Sequence, residues 1–79
     1  MIGYLAKSLM GHDAGRIYVI VGESGNDVML ADGTVRTKDK PKKKNIRHIQ
    51  LIKIKISTDS NEAIKQSISQ YNTRRTVDV

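Results

Sequence analysis

The stretch Gly11-His12-Asp13-Ala14-Gly15-Arg16, followed directly by Ile17-Tyr18-Val19-Ile20-Val21, decides the fold of this chain. Glycine adopts backbone angles that other residues avoid, so the two glycines predict a sharply bent loop. The apolar run after the loop is rich in β-branched residues, which favour strands. We therefore predict a tight loop that delivers Arg16 to the start of a buried strand.

Turn residues and short apolar runs alternate through the rest of the first half of the chain. Residues 22–26 are turn-forming throughout, and Asp32-Gly33 is a strong signal for a hairpin. Strands are predicted over residues 2–8, 17–21, 27–31, 34–36 and 46–56. The run 17–21 is apolar on both faces, which is typical of a strand covered on both sides. Short strands at this spacing indicate an all-β barrel or sandwich.

The last predicted strand changes phase along its length. The isoleucines from Ile52 to Ile56 alternate with two lysines, whereas Ile49 and Leu51 fall in the opposite phase. Either a β-bulge or burial on both faces would produce this pattern.

The chain changes character after residue 56. Asp59 precedes Glu62 by one helical turn, a spacing close to that of a capping box. We therefore predict one helix over about residues 60–71, packed on the strands, with residues 72–79 frayed. The apolar stripe at helical spacing that supports this helix consists of Ile64, Ile68 and Tyr71.

With 79 residues, the chain is expected to form a single domain. We assign its barrel to residues 1–56 and its helix and tail to residues 57–79. The absence of cysteine excludes a disulfide framework, a thiolate zinc site and a cysteine nucleophile. No signal peptide and no apolar run long enough for a membrane span are found, so we expect a cytoplasmic protein.

Positive charge is concentrated in one part of the chain. Lysine and arginine number 14 against 8 acidic residues, for a net charge of +6. Half of the 14 lie between Arg36 and Arg47, where Pro41 disfavours a helix and predicts an extended connection. Such a segment can neutralise several phosphates at once. The alternative is a solvated, flexible loop without a partner.

The sequence lacks the patterns of common catalytic and cofactor sites. The segment from Gly11 to Gly15 is too short for a phosphate-binding P-loop, and no dinucleotide fingerprint is found. His12 and His48 are far apart, and with Asp13 they make a poor set of metal ligands. We therefore expect no enzyme activity, no metal, no cofactor and no small-molecule substrate.

The segment Gly11-x-Asp13-Ala14-Gly15-Arg16, with Ser8 before it and the strand Tyr18-Val19-Ile20-Val21 after it, resembles a KOW motif. The later segments Met29-Leu30-Ala31-Asp32-Gly33 and Pro41-Lys42-Lys43-Lys44-Asn45-Ile46-Arg47-His48-Ile49 strengthen the resemblance. Together these segments resemble the short bacterial KOW-domain RNA-binding proteins, and the resemblance covers about residues 2–50. These are in turn similar to KOW-containing large-subunit ribosomal proteins of archaea and eukaryotes.

The resemblance implies an SH3-like five-stranded barrel that binds structured RNA, above all ribosomal RNA, in association with the ribosome or translation. It places the contact role on Arg16 and the basic segment, and a backbone role on Gly11 and Gly15. The full set of expected RNA-binding residues is Gly11, His12, Gly15, Arg16, Arg36, Lys38, Lys40, Lys42, Lys43, Lys44, Asn45, Arg47 and His48.

Two further functions stay open at the level of sequence. KOW domains of transcription-elongation factors contact protein as well as nucleic acid, so a protein-interaction module with ribosomal or transcription partners is the alternative. A polybasic loop also attracts anionic lipid, but no basic amphipathic helix or lipidation signal supports a membrane partner. Single-strand binding by stacking would require Tyr4 or Tyr18 to be exposed, and both are expected in the core.

Overall fold

The computed structural model describes residues 1–77, with side chains for residues 1–74. Its elements are β1 (Tyr4–Ser8), β2 (Ile17–Ser24), β3 (Asp27–Ala31), β4 (Lys42–Asn45), a 3-10 turn (Ile46–His48), β5 (Ile49–Lys55) and α1 (Asn61–Val77). The strands form one antiparallel sheet in the order β4-β3-β2-β1-β5. The prediction of a mainly β fold with five strands and one C-terminal helix is confirmed.

The central strand β2 is buried on both faces, as its apolar run predicts. Because successive side chains of a strand point to opposite faces, β2 contributes to two separate clusters. The helix-side cluster, between the sheet and α1, contains Leu5, Ile17, Val19, Ala31, Ile64 and Ile68. The inner cluster, on the opposite face, contains Ala6, Tyr18, Ile20, Val28, Leu30 and Ile49.

The sheet is strongly curled towards its inner face. Two strands separate β4 from β1, which in a flat sheet would place them about 14 Å apart. The Nζ atom of Lys44 in β4 nevertheless lies 2.7 Å from Oγ of Ser8 in β1. This curl is compatible with the expected small SH3-like barrel, although within residues 1–77 no ladder joins β4 to β5.

The first three strands lie close to their predicted positions. β1 begins at Tyr4 because Gly3, with φ of +92°, makes a bend before it. β2 continues to Ser24, so the following turn consists of Gly25 and Asn26 alone. β3 spans the predicted residues.

The predicted strand over residues 34–36 is wrong. Oδ1 of Asp32 accepts hydrogen bonds from the N–H groups of Thr34 and Arg36, each at 2.9 Å. The N–H of Gly33, which has φ of +83°, donates to the carbonyl of Arg36. These bonds hold the backbone in a turn and leave it no partner strand.

The fourth strand lies instead within the basic run, which the sequence predicts to be a connection. Lys42 and Lys44 pair opposite Leu30 and Val28 of β3, so both side chains lie on the inner face. Lys43 lies on the opposite face of β4, called the outer face here, because successive side chains of a strand alternate. An edge strand tolerates these charges because one of its sides has no neighbouring strand.

The last strand is shorter than predicted because residues 46–48 form the 3-10 turn. Its pairing with β1 is regular from Ile49 to Ile52, so no bulge lies at the change of phase between Leu51 and Ile52. Leu5 pairs with Ile52, but Tyr4 pairs with Lys55. Two extra residues of β5 therefore lie between these pairs, beyond the change of phase. Ile49 belongs to the inner cluster and Ile52 packs against the helix-side cluster, so of the two alternatives burial on both faces is correct.

The C-terminal helix begins near the predicted position but ends later. Its N-terminus is capped by Ser60, whose Oγ accepts from the N–H of Ala63, and not by Asp59. The predicted stripe is confirmed, with Ile64 and Ile68 buried and Tyr71 packed against them. Residues 72–77, predicted to be frayed, belong to the helix. Residues 78–79 lie outside the described residues.

Candidate nucleic-acid interface

The segment 9–16, called the glycine loop here, folds back on itself between β1 and β2. The N–H of Ser8 donates to the carbonyl of Arg16 at 2.9 Å, and the N–H of Gly15 donates to the carbonyl of Ser8 at 2.7 Å. Gly11 and Gly15 both have φ of +91°, a region that other residues rarely adopt. The prediction of a sharply bent loop that depends on its glycines is confirmed.

Asp13 is the centre of a buried polar cluster beneath this loop. Its side chain is 9% exposed. Oδ1 accepts from Ser8 Oγ at 2.9 Å and from Lys44 Nζ at 2.8 Å, and Oδ2 accepts from Tyr18 Oη at 2.9 Å and from Lys42 Nζ at 2.8 Å. We call these five residues the Asp13 cluster. It joins the glycine loop to β1, β2 and the edge strand β4.

The cluster shifts the pKa of two of its members, the carboxyl group of Asp13 and the hydroxyl group of Tyr18. Burial alone would raise the pKa of Asp13, but hydrogen bonds from Lys42, Lys44, Ser8 and Tyr18 outweigh it and hold this pKa well below its ordinary value. Burial, together with the hydrogen bond to Asp13 and the charge of its carboxylate, raises the pKa of Tyr18 to about 12. The folded cluster therefore favours ionised Asp13 and neutral Tyr18.

These pKa shifts predict how stability depends on pH. The lowered pKa of Asp13 contributes stability above about pH 4, the unfolded value, and this contribution is lost as the pH falls further. The raised pKa of Tyr18 contributes stability below about pH 10, which is lost as the pH rises from there towards 12. Urea denaturation across this range should give a plateau between the two losses.

A Tyr18→Phe variant provides the control for the alkaline loss. Phenylalanine cannot ionise, so the decrease in stability above about pH 10 should be shallower than in the parent chain, while the acid loss persists. An identical alkaline profile in both chains would contradict the assignment to Tyr18.

The Asp13 cluster contains two of the three consecutive lysines expected to contact RNA. Lys44 is nearly buried, with a side chain 10% exposed, and it also donates to the carbonyl of Met10 at 2.7 Å. Lys42 is more accessible, at 28%. Lys43, on the outer face, is 65% exposed, so it is the most available of the three for a contact with RNA. Its one ion pair, with Oδ2 of Asp27, is 3.6 Å long.

The other predicted contact residues lie on the glycine loop, on the connection between β3 and β4, at Asn45 in β4, and on the 3-10 turn. His12 and Arg16 are exposed on the glycine loop, and Arg47 and His48 are exposed on the 3-10 turn. The exposed cations of the connection between β3 and β4 are Arg36, Lys38 and Lys40.

Hydrogen bonds bring the glycine loop and the 3-10 turn together. The N–H of Leu9 donates to the carbonyl of His48 at 2.9 Å. Lys44 of β4 in turn contacts the loop through the carbonyl of Met10. The loop, β4 and the 3-10 turn therefore lie side by side, as a shared binding surface requires. Arg16 is different, because its guanidinium lies 3.8 Å from Oδ2 of Asp32, at the start of the connection.

Two of the predicted contact residues also have local structural partners. Lys38 donates from its backbone N–H to Oδ1 of Asn61 and from Nζ to the carbonyl of Asp59, which ties the connection to the start of α1. Asn45 caps the 3-10 turn by accepting from the N–H of Arg47.

Tyr18 cannot act as a stacking platform, because it is 3% exposed and its hydroxyl is bound to Asp13. Sequence reasoning considered Asp13 only as a poor metal ligand and missed its central role. The available signal was a single carboxylate between two glycines, within a chain rich in lysine. That signal does not identify the partners, which come from three different strands.

Comparison of the chain with models of known protein families and with the sequences of characterised proteins gives no match. Within the part of the chain that the structure describes, no helix has the length and apolar character needed to cross a membrane.

Proposed function

We propose that this chain is a cytoplasmic RNA-binding protein, associated with the ribosome or translation, that contacts structured ribosomal RNA through the glycine loop, β4 and the 3-10 turn. The observation that carries the proposal is the charge of this surface. In the Asp13 cluster two ammonium groups share one carboxylate, which leaves one unit of positive charge. Lys43, on the outer face of β4, and Arg47, on the 3-10 turn, add two exposed cations to the same segments. A polyanion is the natural partner of such a surface.

The mode of binding follows from the side chains available. Tyr18 is buried and Tyr4 is half-buried, so the surface offers cations instead of aromatic platforms. Such groups contact phosphates and recognise the shape of a folded RNA. The Asp13 cluster supports this mode by holding the loop and β4 in a fixed relative position before RNA arrives.

The test requires variants that leave the Asp13 cluster intact. Neutralising Lys42 or Lys44 would remove contacts of Asp13 as well as charge, so neither is suitable. The double variant Lys43→Gln/Arg47→Gln removes two exposed cations whose side chains have few partners. We expect it to weaken binding of a ribosomal RNA fragment about tenfold and to reduce the salt dependence by about one to two phosphate contacts.

The matched control is Lys53→Gln/Lys55→Gln, which removes the same charge from exposed positions on β5. It should change both affinity and salt dependence less. Fluorescence anisotropy across a salt series would compare the ribosomal RNA fragment with a generic hairpin of equal length and with duplex DNA. A preference of about tenfold for the fragment, or about 1.4 kcal/mol, near physiological salt is expected. Equal losses in the two double variants would contradict the proposed surface.

A second candidate is a protein-interaction module of the transcription or translation machinery. Leu9 and Met10 are exposed at 47% and 55% on the glycine loop, and Ile46 is exposed at 37% on the 3-10 turn. Apolar side chains on a loop beside a charged surface favour a protein contact. Equal binding of all three nucleic acids, lost near physiological salt, would overturn the RNA proposal and favour this candidate.

A further inference from the structure

An open groove of about 490 Å³ lies between the end of the glycine loop and α1. Its lining includes the apolar side chains of Ile17 and Ile68, both nearly buried, and the cationic side chains of Arg16 and Lys65. This volume is in the range of small-molecule sites, and the lining around the two isoleucines is mostly polar. The helix thus helps to form a groove that shares only Gly15 and Arg16, at the end of the glycine loop, with the proposed RNA-binding surface.

The carboxylate of Asp32 gives this groove a specific polar feature. Its side chain is 9% exposed. Oδ1 is occupied by the N–H groups of Thr34 and Arg36 and by the hydroxyl of Thr34. Oδ2 has no hydrogen bond among the described residues, because its ion pair with Arg16 is 3.8 Å long. Asp32, which lines the groove, therefore combines a nearly buried side chain with one carboxylate oxygen that has spare acceptor capacity.

The chemistry of these groups restricts the ligand. Asp32 repels anionic groups and accepts hydrogen bonds, so it requires N–H donors next to it. Arg16 and Lys65 require an anionic group on the same ligand. A nucleotide has both parts, with donors on its base and charge on its phosphate. Arg16 can also place its planar guanidinium against the face of a base.

Among the four common bases, guanine matches Asp32 best. Its base-pairing edge presents two neighbouring donors, the N1–H and the exocyclic N2 amino group, which can both donate to the single free oxygen Oδ2 through its two lone pairs. Adenine, cytosine and uracil each present one donor flanked by an acceptor, which would face the carboxylate unfavourably. We propose that this groove binds a guanine nucleotide, presented by RNA as an unpaired guanosine. The identification of RNA as the source rests on the proposed function.

The groove can be tested separately from RNA binding. Guanosine 5′-monophosphate, titrated into the isotopically labelled full chain, should shift amide signals at Arg16, Asp32 and Lys65. Adenosine, cytidine and uridine 5′-monophosphates should shift them less. Inosine 5′-monophosphate retains the N1–H but lacks the N2 amino group, so its effect should be intermediate.

Two variants examine the assigned groups. Asp32→Asn can retain its carbonyl oxygen towards Thr34 and Arg36 while placing an amide donor at the groove, so the turn persists and the guanine preference should disappear. Lys65→Gln should weaken binding of guanosine 5′-monophosphate severalfold. Lys53→Gln makes the same charge change on β5, outside the groove, and should have little effect.

RNA hairpins that differ at one unpaired loop base examine the source of the nucleotide. The parent chain should bind the guanosine hairpin about tenfold tighter than the other three, and Asp32→Asn should remove this difference. Equal shifts with all four mononucleotides, or shifts away from the groove, would overturn the guanine site whatever the affinity for RNA. Selective shifts without any effect of the loop base would overturn its presentation by RNA. Failure of every RNA to bind would overturn the proposed function and this presentation, while the mononucleotide titration still decides the site.

Discussion

Replacing Asp13 by asparagine is expected to lower the free energy of unfolding by about 3–5 kcal/mol, the usual cost of removing one partner from a buried ion pair. Asparagine retains one acceptor oxygen but directs an amide donor at the remaining cation. Lys42 is 28% exposed and can turn towards water. Lys44 is 10% exposed and stays near Ser8 and the carbonyl of Met10, with an uncompensated charge.

This expected loss is large for so small a domain. At about 0.05–0.15 kcal/mol per residue, a chain of this length has a total stability of about 4–12 kcal/mol. Urea denaturation followed by far-ultraviolet circular dichroism would measure the change. Hydrogen exchange would show whether the glycine loop opens first, because Asp13 holds it to β4.

The matched control for this substitution is Asp27→Asn. Asp27 makes an exposed, 3.6 Å ion pair with Lys43, and exposed pairs contribute about 0–1 kcal/mol. Both variants raise the net charge by one unit, so a general charge effect would act on both alike. Similar stabilities for the two variants would contradict the central role of the Asp13 cluster.

Local sequence patterns were sufficient for those parts of the fold that depend on local interactions. β3 lies where it was predicted because a glycine turn precedes its run of four apolar residues and the turn signal Asp32-Gly33 follows it. The start of α1 could be predicted to within about two residues from polar capping residues, although the cap is Ser60 and not Asp59. Its last turns were missed because the apolar stripe ends at Tyr71 and the helix continues with polar residues.

The edge strand β4 could not be predicted because its stability depends on distant residues. Lys42 and Lys44 lie on the inner face, a position that lysine would avoid without a partner. Their partner Asp13 is 29 and 31 residues away, respectively, along the chain. A window centred on the lysines contains only charge and a proline, so it predicts a solvated connection. The same separation explains why the candidate contacts included lysines that bind a carboxylate of the chain itself.

Replacing Gly33 by alanine is expected to disrupt the packing of α1 on the sheet. Gly33 has φ of +83°, where a Cβ atom adds about 1–2 kcal/mol of backbone strain. That atom would also overlap the carbonyl oxygen of Asn61 and lie 2.9 Å from the backbone nitrogen of Lys65. Both atoms belong to the backbone of α1, so the helix must shift away. Overpacking of this kind costs about 1–3 kcal/mol more.

The control is Gly25→Ala, which separates backbone strain from overlap. Gly25 has φ of +60°, and nothing lies within 4 Å of the added atom. The Gly25→Ala variant should therefore be destabilised by backbone strain alone, about 1–2 kcal/mol. Denaturation should show the larger loss for Gly33→Ala, and the amides of Ile64 and Ile68 should exchange faster in that variant alone. Equal losses would mean that the turn at Gly33 does not position the helix. A larger loss of stability for Gly33→Ala would mean that the absence of a Cβ atom at Gly33 allows α1 to bury its apolar stripe and to form one wall of the groove beside Arg16.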